Sequence, residues 1–487
     1  MSSEAVGNIE RELDDYITTN LPRFIAELGV LCSPNTTQSS RRSKNEPDDT
    51  ARLIINMLKE RGLKTENWSL NKRSAIFARG EQRTESNTLL SYNTYEITPP
   101  GQMDEWQSAM FGLNERDGKL YAKGVADNRA NLVARLAAYE AWREVYGSVP
   151  CNVKFLIEGR TGDGQSLASK LLAEKNGILK ADACLWDSGE NTPEGIPVIS
   201  LGQKGYLCIE LRSKTLSQDG NSSLAGILPS GGWRLIWAMS AIKNDNEDIQ
   251  VDDFDRDIQV PSHEDSSFIM QTAKRYTKRM EERLTRFGVS EYLMGLKSIP
   301  LLITEFFTPT ANIIGFEGGY LGDDVKSVLM ASGQARLDFR LVPNQDPDTA
   351  LDLIRKHLYN RGFTDIEVRQ VGVSEKPVRT SPNHPFVKLA VESLEQAIDL
   401  APLVIPLAPT VGPMYAFKET LGELPLICTG AYYDGAQRQT SNENIRIADF
   451  LNHIKFTTRL LGNLNNYSRP DETEKNTETA TSKQVSD

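Results

Sequence analysis

The sequence predicts an α/β protein in which an αβα domain is interrupted by an inserted α+β unit. Two observations support this. β-type runs alternate with helical apolar patterns in the first part of the chain and again near its end, as in a sheet flanked by helices. Between them lie strands of alternating polarity and a Gly/Ser-rich loop. We expect the αβα domain over 1–205 and 375–467, the inserted unit over 206–374, and a disordered tail over 468–487.

Apolar spacing places the elements of the first part of the αβα domain. Helices are predicted at 8–30, 129–146 and 166–175. Between and beside them, β-type runs predict a mostly parallel sheet with strands at 74–78, 88–92, 151–158 and 183–187. Ligands of such sheets bind beyond the carboxyl ends of the strands. Glu158 and Asp187 end two of these strands, so both are candidate site residues.

The rest of the chain is predicted in the same way. In the inserted unit, strands are expected at 206–213, 335–342 and 365–369, and helices at 233–243 and 347–359. Residues 244–330 are acidic and irregular, with further helices. The second part of the αβα domain is predicted to hold helices at 384–398, 414–421 and 446–463 and strands at 402–405 and 425–428.

Composition excludes several functions. The net charge of −11, without a strong basic cluster, argues against nucleic acid or anionic membrane as the main partner. The mixed charges of Lys274–Arg283 predict one solvated helix face. Five scattered cysteines indicate buried free thiols rather than a disulfide framework or zinc knuckle. With no secretory pattern at the start and no apolar run of membrane-spanning length, we expect a cytoplasmic protein.

Five motifs resemble one family when taken together and in order. They are Gly124–Arg129, Val153–Gly159, Leu201–Gly205, Asp338–Pro343 and Asn442–Arg446. Over about residues 10 to 465, the chain resembles M20-type metallopeptidases, closest to the carnosinase and cytosolic dipeptidase branch. The resemblance implies a zinc-binding αβα domain split by a lid domain that usually carries the dimer interface. It also implies a cis peptide bond after the bridging aspartate.

Members of this family hold two metals with a histidine, a bridging aspartate, a glutamate, a second acid and a final histidine. The metals lower the pKa of a bound water and polarise the scissile carbonyl. The bridging aspartate matches Asp127, and the second acid matches Asp187. Thr94 stands in place of the first histidine and Gly162 in place of the glutamate. The last histidine matches Gln439 counting back from Asn442, or Gln437 counting on from Asp434, because this segment is longer than the family pattern.

The catalytic positions also differ from the family. Thr161 occupies the position of the general base, and Glu96 that of the supporting aspartate. None of the four histidines lies in a ligand motif. The resemblance therefore predicts a homologue that has lost most metal ligands and the general base. We expect it to be inactive as a di-zinc peptidase and to retain a cleft for a small peptide or an acyl amino acid.

Asp127 and Asp187 could either bind a cation or be satisfied by hydrogen bonds within the protein. A residual divalent cation such as Mg²⁺, Mn²⁺ or Ca²⁺ suits the oxygen ligands of Asp127 and Asp187. The favoured state has no cofactor, and hydrogen bonds satisfy both carboxylates, with Arg129, Arg160 and Lys204 as candidate charge partners.

Three residues are candidate substrate contacts. Arg340 matches the lid arginine that grips a substrate carboxylate, and Asn221 matches the lid histidine that reaches a partner's active site. Arg160 lies in the loop that lost two glutamates.

These observations leave three candidate functions. The favoured one is an inactive binding homologue, either a homodimer through the lid or a subunit of a hetero-oligomer. The alternatives are a peptide or amide hydrolase with a rebuilt metal site and a metal-free biosynthetic enzyme that reuses the cleft.

Overall fold

The computed structural model describes residues 3–33, 49–70, 73–97, 103–161, 166–408 and 410–468. Gly162 lies outside this part of the chain, as do the side chains of Glu96, Arg160 and Thr161 and the predicted tail beyond Ser468. The α-helices among the described residues are α1 Ser3–Leu31, α2 Asp49–Glu60, α3 Ala130–Tyr146, α4 Ala168–Leu179, α5 Gly231–Ile242, α6 His263–Arg275, α7 Thr277–Phe287, α8 Ser298–Phe307, α9 Pro347–Asn360, α10 Pro385–Ile398, α11 Met414–Thr420 and α12 Ile447–Asn463.

Each of the nine predicted runs overlaps an observed strand, and the other strands were not predicted. The strands are β1 Lys64–Asn67, β2 Ala75–Arg79, β3 Thr88–Ile97, β4 Asn114–Arg116, β5 Lys119–Tyr121, β6 Asn152–Thr161, β7 Ala183–Trp186, β8 Glu190–Asn191, β9 Val198–Ser200, β10 Gly202–Gln203, β11 Gly205–Lys214, β12 Gly220–Asn221, β13 Thr310–Glu317, β14 Val328–Leu329, β15 Ser332–Leu341, β16 Ile366–Gln370, β17 Val378–Arg379, β18 Leu403–Ile405, β19 Leu426–Cys428, β20 Tyr432–Tyr433 and β21 Asn444–Arg446.

The central sheet has eight strands in the order β1-β2-β6-β3-β7-β19-β9-β18. It is mixed rather than mostly parallel. The pairs β6–β3, β3–β7, β7–β19 and β9–β18 are parallel. The pairs β1–β2, β2–β6 and β19–β9 are antiparallel. The connection from β1 to β2 is too short for the crossover that a parallel pair needs, so those two strands run in opposite directions.

Alternate residues of the central strands face two different helical layers. On β2, Ile76 and Ala78 pack into a core with α1, α3, α10 and α12, whereas Ala75 and Phe77 pack into a second core with α4 and α11. Successive side chains of a strand point to opposite faces, so each face of the sheet is buried under helices. The predicted αβα architecture is confirmed.

A second sheet, in the order β13-β15-β11-β16, is antiparallel throughout. Its core contains Leu207, Ile209 and Leu211 of β11 together with side chains of α5 and α9. The edge strand β13 lies in a stretch that we predicted only as irregular with helices. Most of its side chains are exposed, so it lacks the alternation typical of a half-buried strand.

Helices α6 and α8 pack against the edge of the central sheet rather than on the second sheet. Ile269 and Phe306 form a small core with Leu403 and Ile405 of β18. These helices belong to the predicted inserted unit, and they bring α7 close to the carboxyl ends of the central strands. The domain boundaries themselves stay a prediction.

The prediction of one solvated face over Lys274–Arg283 is wrong. The stretch is divided between α6 and α7, and Arg279 is only 1% exposed. The cysteine prediction is confirmed, because all five cysteines are free and buried. Among the described residues, no helix is both long and apolar enough to cross a membrane.

Candidate active site

A buried carboxylate fixes the loop that carries Asp127. Glu443 accepts hydrogen bonds from the backbone N–H groups of Gly124 (3.0 Å), Ala126 (2.9 Å) and Asp127 (3.0 Å). Burial and the nearby Asp127 raise the pKa of Glu443 against the effect of these hydrogen bonds. The peptide bond between Asp127 and Asn128 is cis, as the resemblance implies. By resemblance Glu443 belongs to a structural turn without a chemical role, and the structure shows that it positions this loop.

Both carboxylate oxygens of Asp127 accept hydrogen bonds from neighbouring side chains. Nη2 of Arg438 lies 2.5 Å from Oδ1, and Nε2 of Gln439 lies 2.8 Å from Oδ2. The Asp127 side chain is only 3% exposed. Burial alone would raise its pKa, but the charge and hydrogen bond of Arg438, together with Gln439 and Lys123, lower the pKa below its usual value. Asp127 is therefore an ionised carboxylate paired with a guanidinium.

Arg438 was missed by the sequence analysis. Arg129 donates to the Leu31 carbonyl, and Lys204 donates to the Thr308 carbonyl at 2.9 Å. The side chain of the third candidate partner, Arg160, lies outside the described part of the chain. The arginine that pairs with Asp127 instead comes from a segment 311 residues away in sequence.

The local backbone explains how Arg438 and Gln439 both reach Asp127. Gln437 and Gln439 have positive φ angles of 51° and 61°, so the chain turns sharply on both sides of Arg438. The guanidinium stacks over the Tyr432 ring at 4.4 Å and donates to its hydroxyl at 3.1 Å. In the sequence, the only sign was that the segment between Asp434 and Asn442 has more residues than the family pattern.

Asp187 forms a separate hydrogen-bonded group with Thr94. Its Oδ2 accepts from the backbone N–H (2.6 Å) and the hydroxyl (3.0 Å) of Thr94, and its Oδ1 accepts from Asn131 (3.0 Å). Asn128 donates to the Thr94 hydroxyl at 2.9 Å. Burial raises the pKa of Asp187, against the opposing charge of Arg135. The threonine at the first histidine position thus links Asp187 to the cis-peptide loop.

Beneath Asp187 lies a buried arginine of α3. Arg135 donates to the carbonyl oxygens of Tyr92 (3.0 Å), Leu185 (3.2 Å) and Trp186 (2.8 Å). Burial lowers its pKa, and Asp187 opposes that effect. Carbonyl oxygens of two central strands thereby solvate this guanidinium. It supplies positive charge near the second carboxylate.

Three other predicted site residues lie on neighbouring strands, Glu96 on β3 and Glu158 and Thr161 on β6. Glu158 accepts from the hydroxyls of Tyr92 (2.7 Å) and Ser166 (2.8 Å), and from the backbone N–H of Leu167 at the start of α4. Glu158 therefore joins the strand to the helix. In the ladder of β3 and β6, Glu96 pairs with Arg160, and Ile97 pairs with Thr161.

The predicted substrate contacts of the inserted unit, Arg340 on β15 and Asn221 on β12, have other neighbours than Asp127. Nε of Arg340 is 3.6 Å from Asp338, and its guanidinium lies 5.1 Å from the centre of the Tyr206 ring. Asn221 is exposed and accepts from the backbone N–H of Ser223 at 3.0 Å. As far as the chain is described, neither side chain contacts Asp127 or Asp187.

The resemblance implies two zinc ions, and the described residues do not fit them. Zinc sites use Cys, His, Asp or Glu ligands, and no group of three or more such side chains in the described ranges could hold a metal. Both oxygens of Asp127, and both of Asp187, already accept hydrogen bonds. The histidines lie elsewhere, at the start of α6, on α9, before α10 and on α12.

Helix α7 is held against the site by a cluster of charges. Asp434 lies 3.6 Å from Arg279, 3.4 Å from Arg283 and 3.2 Å from Arg286. Arg279 also pairs with Glu190. Burial would raise the pKa of Asp434, but the three arginines lower it. These ion pairs fix the end of α7 above the segment that carries Arg438.

Comparisons with known proteins agree with this fold. The family model "Peptidase family M20/M25/M40" matches residues 97–463. A "Cysteinylglycine-S-conjugate dipeptidase" of Corynebacterium striatum is 22% identical over 386 residues, which cover 78% of this chain and 82% of that protein. The human "Beta-Ala-His dipeptidase" is 26% identical over 280 residues, covering 56% of this chain and 53% of that protein.

A solved structure is similar over nearly the whole chain. It is the M20 family metallo-carboxypeptidase Sso-CP2 from Sulfolobus solfataricus, with a TM-score of 0.81 and 29% identity, covering 92% of this chain and 99% of that one. The family match spans most of the chain and includes Asp127, Asp187 and Arg438. The chain belongs to the peptidase family M20/M25/M40.

Proposed function

We propose that this M20-family chain does not hydrolyse peptides with a metal pair and instead binds a small peptide or an acyl amino acid. The observation that carries the proposal is the contact of both Asp127 oxygens with Arg438 and Gln439. Metal-assisted hydrolysis needs a cation that activates a bound water. A guanidinium can replace the charge of a metal but offers no coordination site for that water.

The other site positions support the same proposal. A threonine hydroxyl at position 161 is a poor general base at neutral pH. Thr94 stands where the family pattern has the histidine that the acid at position 96 would orient. We propose that Thr94, Gly162 and Gln439 mark lost ligands, with Asp127 and Asp187 as remnants and no resident cofactor. Arg340, Asn221 and Arg160 are proposed to contact ligand when the cleft is occupied.

The names of the relatives favour a second candidate, an amide hydrolase with a rebuilt metal site. Both curated relatives are named as dipeptidases, and the similar structure is named as a metallo-carboxypeptidase. In that case a divalent cation would have to displace Arg438 from Asp127.

Metal content and turnover separate the two candidates. Purified full-length chain would be analysed for bound metals and then assayed with a panel of dipeptides, with and without added Zn²⁺ or Mn²⁺. We expect substoichiometric metal and no turnover. Stoichiometric metal with turnover that Asp127→Ala abolishes would refute the proposal and establish the hydrolase. Turnover that chelators leave unchanged would also refute it and point to the metal-free enzyme.

Exposed apolar side chains on α5 and on the edge strand β13 suggest how the chain assembles. Trp233 and Trp237 stack at 5.8 Å on α5 and are 57% and 51% exposed. On the edge strand β13, Ile313, Ile314 and Phe316 are each at least half exposed. Large apolar patches and open sheet edges are typical of interfaces. We propose that a second copy of the chain covers these side chains. We also propose that the protein works in the cytoplasm.

A further inference from the structure

A cavity of about 230 Å³ lies at the edge of the central sheet where β6 begins. Cys151, which directly precedes this strand, and Val153 within it both line the cavity. Strands β6, β3 and β7 run parallel, and Asp187 directly follows the last residue of β7. The starts and the ends of parallel strands lie at opposite edges of a sheet. The cavity and Asp187 are therefore on opposite sides of the domain.

Helix α3 connects the two regions. Near its start, Asn131 donates to Asp187 at 3.0 Å. Tyr139 and Arg143, about two and three turns later, both line the cavity. A rise of about 1.5 Å per residue places Arg143 about 18 Å from Asn131 along the helix axis. The cavity is therefore distinct from the candidate active site, and a helix buried over most of its length holds two of its side chains in place.

Tyr139 has a hydroxyl that the folded chain leaves unused. The residue is 5% exposed and lines the cavity, yet its hydroxyl makes no hydrogen bond to any residue that the structure describes. A Cβ atom on Gly80 would lie 2.7 Å from this oxygen, so a glycine there keeps the hydroxyl open to the cavity. Burial raises the pKa of Tyr139, so the hydroxyl stays protonated and is a donor. Buried polar groups nearly always have a hydrogen-bond partner, and the space for this one is the cavity.

Two arginines bring positive charge to the cavity. Arg143 directs one of its five N–H groups to the carbonyl oxygen of Arg61 and has four left. Arg83 is exposed at the mouth, and its guanidinium pairs with no acid in the described ranges. The backbone of Arg83 is fixed, because Asn152 accepts from its N–H at 2.7 Å and donates to its carbonyl oxygen at 2.8 Å. Donors from two separate segments therefore reach the same small space.

Little negative charge opposes these arginines. Glu81 is the one acid among the described residues that line the cavity, and it is exposed to solvent. Burial raises the pKa of Cys151 to about 12 against the charge of Arg83, so the thiol is neutral. The carboxyl end of α3 also disfavours an anion, but this dipole effect is weaker than one charge-assisted hydrogen bond. The excess of donors and of positive charge therefore favours an anion with several acceptor oxygens.

The size of the cavity narrows the choice of anion. Pockets for drug-sized ligands begin at about 300 Å³, so this smaller cavity suits a compact group. A phosphate group has a charge of about −1.5 to −2 at neutral pH and three strong acceptor oxygens. These match the two guanidiniums and the hydroxyls of Tyr139 and Ser148, which follows α3 and also lines the cavity.

We propose that this cavity, named here the Arg83 pocket, binds a phosphate group through Arg83, Tyr139, Arg143 and Ser148. Glu81 and Arg83 are exposed at its mouth, so the ligand is either free phosphate or the phosphate monoester of a small molecule. The inference does not depend on the proposed peptide-binding role, because the two sites lie at opposite edges of the sheet.

Calorimetric titration of the full chain in chloride buffer tests the pocket with phosphate, methyl phosphate and nitrate. We expect phosphate to bind saturably at one site per chain. Nitrate should bind at least about tenfold more weakly, since it carries a single charge and is attracted less strongly by the guanidiniums. Methyl phosphate identifies the source of the phosphate group. An affinity equal to that of phosphate supports a monoester as the ligand, and binding at least about tenfold weaker supports the free ion.

Three conservative variants locate the binding site. Arg83→Gln removes a charge from an exposed side chain, and Tyr139→Phe removes one hydroxyl but keeps the ring that packs against Phe155. Each should weaken phosphate binding by at least about fivefold. Glu81→Gln removes the opposing charge and should strengthen binding by at least about threefold, a gain that a damaged fold cannot produce. Arg355→Gln is the control, because it removes the same charge from the surface of α9 and should keep the wild-type affinity.

Three results would overturn the inference: no saturable binding of phosphate, nitrate bound as tightly as phosphate, or wild-type affinity in all three cavity variants. None of these results bears on the proposed lack of peptide hydrolysis. Dipeptide turnover or stoichiometric metal, in turn, would refute that proposal and leave the Arg83 pocket standing.

Discussion

Arg438 and Asp127 form an ion pair at 2.5 Å in the position where the family resemblance places a bridging metal ligand. The pair joins two segments that are 311 residues apart in sequence. Its guanidinium also stacks on Tyr432, so the cation is held from two sides. The negative charge of Asp127 is therefore neutralised by the chain itself.

Removal of this cation should destabilise the fold. In Arg438→Ala, Asp127 stays buried without its partner. Loss of one partner from a fully buried pair costs about 3–5 kcal/mol. We expect about 2 kcal/mol, because the Arg438 side chain is 28% exposed. Denaturant unfolding measures the change. Arg355→Ala, which removes an exposed arginine that pairs with Asp352 on α9, is the control and should change stability by less than about 1 kcal/mol.

The buried histidine of α12 should make the fold sensitive to acid. Burial, together with the charge of Arg135, lowers the pKa of His453 well below its usual value. The unfolded state then binds a proton more readily than the folded state. Stability should fall as the pH drops below about 6.5, by up to about 1.4 kcal/mol per pH unit.

Denaturant unfolding of His453→Gln between pH 5 and 7 tests this slope. The variant should lose less stability on acidification than the wild type. Asp449 has the opposite effect on the pH dependence of stability, since burial raises its pKa to about 6. Because the variant and the wild type both contain Asp449, its contribution cancels in the difference between their slopes. His263→Gln, at the exposed start of α6, should keep the wild-type slope. Equal slopes for His453→Gln and the wild type would contradict the prediction.

Asp434 should control how firmly α7 is attached. Asp434→Asn keeps the size of the side chain but removes the charge that faces three arginines. We expect backbone amides of Thr277–Phe287 to exchange with solvent about tenfold faster, equivalent to about 1.4 kcal/mol of local stability. Hydrogen exchange with mass spectrometry measures this. Asp352→Asn is the control, because this carboxylate is 78% exposed on α9, and it should leave exchange in α7 unchanged. Unchanged exchange in Asp434→Asn would show that Asp434 does not hold α7 in place.

The exposed tryptophans of α5 should determine assembly. Trp237→Glu places a charge in the proposed interface, where it would be buried without a partner. We expect the mass measured by light scattering to shift from dimer to monomer. Tyr359→Glu alters an exposed aromatic residue on α9 and should keep the dimer. A wild-type chain that is monomeric at micromolar concentration would refute the assembly.

Much of the fold follows from local pattern. Helix α3 was predicted from apolar spacing and ends at Tyr146, followed by Gly147, whose positive φ of 74° suits a helix C-terminus. The edge strand β13 was missed because most of its side chains face outwards. The burial of Arg279 was also missed, since charge alone predicts a solvated face. Its contacts with Asp434, Glu190 and Tyr276 explain why that residue is inside.

The sequence by itself determined the αβα fold, the two carboxylates at 127 and 187, and the absence of histidine from the expected ligand positions. These depend on residue types and spacing along the chain. Only the tertiary structure decided which groups satisfy the carboxylates. Arg438 reaches Asp127 because two positive-φ residues turn a distant segment towards it, and Glu443 reaches across the chain to hold the loop. Partners so far apart in sequence meet only when the whole chain is folded, and no local pattern records them.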